Sequence, residues 1–178
     1  MHRQQLEHII RAAAGITGAS EFVIVGSQSV LGQFPQAPDE LLVSIEADVF
    51  SLRDPADSDL IDGSIGEGSP FHQTFGYYAH GVSVETAVLP NGWRDRLVPL
   101  HNENTGGGTG LCLEIHDLAV SKLVAGREKD VDFIMGLLRH RLVKASVIRN
   151  RLNETSLTPE RLQISVARLD RLVNVVGS

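Results

Sequence analysis

Glu46 and Asp48 stand two residues apart in the stretch LLVSIEADVF. In an extended chain that spacing turns both carboxylates to one side. Two acids so placed repel each other unless water or a cation lies between them. Hard oxygen donors on a rigid element suit Mg²⁺, usually held by one or two carboxylates together with substrate phosphates. The same spacing also suits a half-exposed sheet whose acids are simply hydrated, and on these residues alone both readings stay open. Glu85, in GVSVETAVL, falls on the polar face of another expected strand and would add a third oxygen ligand.

Two further stretches carry groups that suit a phosphate. Gly26-Ser27 follows the apolar run EFVIV at a strand-to-helix turn, where backbone N–H groups can point at an anion. No Gly-Lys-Ser/Thr follows and no GxGxxG is present, so the turn is neither a P-loop nor a dinucleotide fingerprint. In HDLAVSKLVAGREKDVDF, residues 116–133, Asp117 is read as an N-cap and Lys122 lies in mid-helix. Arg127, Lys129, Asp130 and Asp132 gather at the next junction. Positions 122, 126 and 129 share one helical face, and Gly126 is expected to leave that face open between two lysines. Such cations could meet a triphosphate or the charge of a leaving group, or they could form surface salt bridges.

These residues need elements to hold them. Residues 3–14 have helical spacing, with Leu6, Ile9, Ile10 and Ala13 on one side. Residues 21–26 are a short buried strand. SQSVLGQF opens a helix near Ser27, PQAPDE is a turn, and 41–50 form the second strand. On that strand Leu41, Val43, Ile45, Ala47 and Val49 form an apolar face expected to be core, opposite Leu42, Ser44, Glu46 and Asp48. Residues 58–68 are read as a short helix and 81–89 as the third strand. A loop and a hairpin with GGG at or near its turn fill the span to 115. Helices are expected at 117–126, 129–142, 143–153 and 159–174, the last opened by Thr158-Pro159-Glu160. The chain therefore reads as an α+β fold, a mixed sheet with flanking helices over 1–115 followed by a C-terminal helical region over 116–178.

Composition bounds the function. The 178 residues are 42% hydrophobic and 21% charged, as in ordinary globular proteins, and only 5% aromatic, so the core must be aliphatic. A net charge of −6 argues against a large phosphate-neutralising surface. A basic band at Arg139, His140, Arg141, Lys144, Arg149 and Arg151 is either a solvated face or one that meets RNA. Cys112, the single cysteine, permits no internal disulfide and is expected to be a buried, inert thiol. His72, His80, His101 and His116 show no metal-ligand spacing. With no long apolar run and no signal peptide, the expected location is cytoplasmic.

Over roughly residues 20–135 the pattern resembles the nucleotidyltransferase superfamily, of DNA polymerase β-like fold, and within it the AbiEii-like and related nucleotidyltransferase-like proteins. Gly26-Ser27 after a first strand, Glu46-Ala47-Asp48 on the next, and a later strand acid, Glu85, follow that layout. The segment Asp117-Leu118, Lys122, Ala125, Gly126-Arg127 and Lys129-Asp130 follows it most specifically. The first acid is Glu46 where the family usually has Asp. The resemblance implies a nucleotide moved from a nucleoside triphosphate to a hydroxyl on RNA, protein or a small molecule. Two Mg²⁺ ions about 3.5–4 Å apart would be held by Glu46, Asp48 and Glu85. Gly26, Ser27, Lys122, Arg127, Lys129 and Asp130 would bind the nucleotide, with Lys122 also catalytic. Because that group includes toxins of toxin–antitoxin pairs, the implied partners include tRNA or another RNA and a cognate antitoxin or toxin. A nucleotidyltransferase fold that binds or regulates without transferring anything is the alternative.

Overall fold

The computed structural model describes residues 1–177. Helix α1 (Arg3–Thr17) precedes strand β1 (Glu21–Val25), a 3₁₀ turn at Ser27–Ser29 and the one-turn helix α2 (Val30–Gln33). Strand β2 (Glu46–Ser51), helices α3 (Ala56–Ile65) and α4 (Pro70–Phe75) and strand β3 (Tyr78–Gly81) follow. Strands β4 (Val98–Leu100) and β5 (Thr109–Cys112) lead into α5 (Ile115–Ala125), α6 (Glu128–Arg139), α7 (Ala145–Asn153) and α8 (Pro159–Gly177).

The strands form one mixed sheet in the order β3-β2-β1-β5-β4. β1 lies between β2, antiparallel, and β5, parallel, while β3 runs parallel to β2 at one edge. The central strand reads FVIV and all four side chains are buried, as a strand covered on both faces requires. Helix α1 buries Leu6, Ile9, Ile10 and Ala13, the stripe its sequence shows. The core is aliphatic apart from a few rings such as Phe22 and Phe50, and it runs on through Leu118, Ala119 and Leu123 of α5 to Ile148 of α7 and Leu169 of α8. The helical region thus shares its buried surface with the α/β region.

Two strands differ from expectation. The second begins at Glu46, not at residue 41. Pro38 opens a 3₁₀ turn at Asp39–Leu41, with Leu41 N–H donating to the Pro38 carbonyl at 2.8 Å and Leu42 N–H to Asp39 at 2.9 Å. The side chain of buried Gln28 then takes the Ser44 carbonyl at 3.1 Å. Ala47 and Val49 are buried as expected, but Val43 is 80% and Ile45 48% exposed. Alternation holds only where the ladder exists. The third strand is 78–81, not 81–89. Beyond Val82 the chain turns at Val84–Thr86, closed by Thr86 N–H donating to Ser83 at 3.1 Å. A turn closed this way takes the backbone out of any ladder. The β4–β5 hairpin forms as read, and Gly106 and Gly107 at its connection have positive φ.

Candidate active site

The register of β2 against β3 pairs Glu46 with Tyr78 and Asp48 with His80. Opposed residues on adjacent strands project to the same face, so four polar side chains meet there. The Tyr78 hydroxyl donates to Glu46 Oε2 at 3.2 Å. His80 Nδ1 lies 3.1 Å from Glu46 Oε1 and 3.3 Å from Asp48 Oδ1. Burial and the neighbouring Glu46 carboxylate push Asp48 up to about 6. Burial works against ionisation of Glu46 too, but bonds from Asp48, His80 and Tyr78 outweigh it and its pKa falls. The pair therefore holds one proton more tightly than two isolated acids would, as two carboxylates forced together must.

Gly26 ends β1 beside this pair. Its φ of +70° and ψ of −173° lie where side chains are excluded, and a Cβ there would sit 2.2 Å from Asp48 Oδ2. Glycine is thus what lets the Asp48 carboxylate lie against the turn. Ser27 begins the 3₁₀ turn rather than a full helix, and the Ser29 hydroxyl donates to the Gly26 carbonyl at 2.8 Å.

The acids share the lining of a cavity of about 680 Å³ with basic residues from the helical region. Gly26, Ser27, Glu46, Asp48 and His80 line it together with Lys122, Arg127, Lys129 and Arg161. Lys122 is 8% exposed, bonded to Asp130 at 3.0 Å, with Nζ 4.6 Å from the Phe133 ring. Burial lowers its pKa despite Asp130. One ammonium donor of three is spent on that carboxylate. Arg127 chelates Asp130 through Nε at 2.7 Å and a backbone N–H at 3.3 Å. Asp130 itself is fully buried. It holds two cations in place, Lys122 and Arg127.

The cluster of possible metal ligands also differs from expectation. Among the described residues, Glu46, Asp48 and His80 form a group whose donor atoms all lie within 4.8 Å of one another. Glu85 is not in that group. It sits in the exposed turn after β3, where the neighbouring Ser83 side chain lowers its pKa. The histidine was legible only through register: once β3 is started at Tyr78, His80 falls opposite Asp48. Two carboxylates and an imidazole fit a divalent cation.

Other expectations resolve as structure. Gly126 does not leave an open groove, because the Arg168 guanidinium fills the space where its Cβ would be and bonds the Leu123 carbonyl. Helix α5 is capped by Glu114, which accepts from His116 N–H, and Asp117 is instead buried against Arg96 at 2.9 Å and Arg151 at 2.8 Å. Much of the basic band is paired: Arg139 and His140 with Glu40, Arg149 with Asp170, Arg151 with Glu114 and Asp117. Cys112 is fully buried, and burial pushes its thiol up to about 12.

No helix among the described residues is long and apolar enough to cross a membrane. No curated protein and no solved structure matches the chain. Residues 4–160 match the family described as "Nucleotidyltransferase of unknown function (DUF6036)". That span takes in β1 and its glycine turn, the acid pair of β2, His80, and the Lys122–Asp130 segment of α5 and α6. The chain belongs to this nucleotidyltransferase family.

Proposed function

We propose that the chain moves a nucleotide from a nucleoside triphosphate to a hydroxyl acceptor in this cavity. The observation that supports this is a carboxylate pair and several cations lining one cavity. A hydroxyl oxygen attacks the α-phosphorus, the bond to the bridging oxygen breaks, and pyrophosphate leaves. Glu46 and Asp48 would hold the divalent cation, Mg²⁺ in the family's usual chemistry, which when bound would supply charge neutralisation at the transferring phosphate. Arg127 and Lys129 offer charge to the phosphates, and Lys122 is held rigid by Asp130 with donors to spare. Gly26 brings the Ser27 backbone to the acids without a side chain in the way.

The test incubates the protein with Mg²⁺ and each labelled triphosphate, with and without cellular RNA. Label transfer and a rise in melting temperature are expected, and Glu46→Gln with Asp48→Asn should remove both. Without ligand the double variant should be no less stable, because the repulsion between the acids is gone. A melting rise that survives in the double variant moves the nucleotide elsewhere. A large loss of stability without ligand makes the acids structural. A second reading, binding without transfer, is favoured by the position of Glu85 away from the pair. It predicts the melting rise with no label transferred under any condition.

A further inference from the structure

The donor set is unusual for Mg²⁺. That ion prefers an all-oxygen octahedron and gives up its waters reluctantly. Imidazole nitrogen suits first-row transition ions, while carboxylates accept Mg²⁺ and Mn²⁺ alike. Here His80 Nδ1 stands 3.1 Å from Glu46 Oε1 and 3.3 Å from Asp48 Oδ1. Adjacent donors around an octahedral cation bonded at about 2.1 Å are roughly 3.0 Å apart. His80 Nδ1 therefore already stands from each carboxylate at about the spacing of neighbouring ligands on one ion, and the three donors all lie within 4.8 Å of one another. His80 is held there by the β2–β3 register, opposite Asp48 on a paired strand, and not by a flexible loop. The exposed turn carrying Glu85 supplies no competing carboxylate to the cluster.

We propose that His80 is the third protein ligand of the cation held by Glu46 and Asp48, and that it makes this a site for a first-row transition dication of the Mn²⁺ kind in preference to Mg²⁺. This rests on the reading that the acid pair holds a cation. The bland alternative is that His80 is a counter-charge for two crowded carboxylates and binds no metal.

Equilibrium binding of Mn²⁺, followed by the spin resonance of the free ion on the nucleotide-free full chain, separates these, with Mg²⁺ as competitor. Mn²⁺ should bind tighter than Mg²⁺. Since even partners of a metal ligand change affinity about 10–100-fold, His80→Ala should weaken Mn²⁺ by at least about tenfold while Mg²⁺ changes far less. His80→Asp, which restores an all-oxygen set, should narrow or reverse the preference. His80 is half exposed on an edge strand, so both variants should fold. An unchanged Mn²⁺-to-Mg²⁺ ratio in His80→Ala overturns the proposal and leaves the acid pair as the site. Failure of both ions to bind wild type, with or without triphosphate, overturns the metal reading itself.

Discussion

Replacing Gly26 with alanine would place a methyl carbon 2.2 Å from Asp48 Oδ2, on a backbone with φ +70° and ψ −173°. Two separate penalties follow. The backbone conformation is essentially glycine-only and costs about 1–3 kcal/mol for any other residue. The overlap must be relieved by moving the Asp48 side chain or the turn, and such overpacking costs about 1–3 kcal/mol more. Gly26→Ala should therefore lose about 2–6 kcal/mol, and at about 2–4 °C per kcal/mol for a chain of this size its melting temperature should fall by roughly 4–24 °C. The two penalties come apart in an Asp48→Ala background. There the atoms at 2.2 and 3.2 Å are gone and the nearest remaining one, the Cβ at position 48, lies at 3.6 Å, an ordinary contact. Only the backbone penalty should remain, so a double-mutant cycle read by urea or thermal unfolding should give a coupling of about 1–3 kcal/mol. A loss below about 1 kcal/mol in the single variant would mean that the turn does not adopt this conformation. Equal losses in both backgrounds, within about 0.5 kcal/mol, would mean that Asp48 does not lie against Gly26, and the site geometry would fall with it.

Two further outcomes check groups around the site. Cys112 should resist a thiol reagent at pH 8 in the folded protein and react fully in urea, because its thiol is buried and pushed up to about 12; rapid labelling of the native chain would place β5 wrongly. Burial opposes ionisation of Glu114, yet His116 and Arg151 outweigh it and hold the carboxyl down at about 2. A depressed carboxylate stabilises the fold above its unfolded pKa and loses that contribution as pH falls through the folded value. Stability should therefore decline between about pH 4.5 and about 2, and Glu114→Gln should flatten that decline while losing about 1–3 kcal/mol at neutral pH; an unchanged acid limb would remove Glu114 from the pairing.

What the sequence showed and what it hid divide along one physical line. Features set by local periodicity were legible: the stripe of α1, the buried run of β1, the C-terminal helices and the shared side of Glu46 and Asp48 within β2. Features set by which strand pairs with which, and where pairing stops, were not. The apolar alternation through Val43 and Ile45 is as regular as that through Ala47 and Val49, yet the latter pair lies within the ladder, whereas Ile45 gives it only a carbonyl, to Tyr78 N–H at 3.1 Å, and both Val43 and Ile45 are exposed. The same gap hid the third member of the Glu46–Asp48–His80 cluster. Glu85 lies in a sequence as strand-like as any, but the chain turns there, closed by Thr86 N–H donating to the Ser83 carbonyl. His80 lies in a short stretch, YAHG, with no alternation to mark it, and gains its place from the residue opposite. The cations differ again. Lys122 and Arg127 are eight and three positions from Asp130 along the chain, close enough for their type and spacing to single out the segment. What spacing could not reveal was direction: Asp130 turns inward to fix its two partners, and Arg168, from a helix far along the chain, closes the gap at Gly126. Lys122 and Arg127 are therefore held by an acid buried behind them, and with Lys129 they line the cavity.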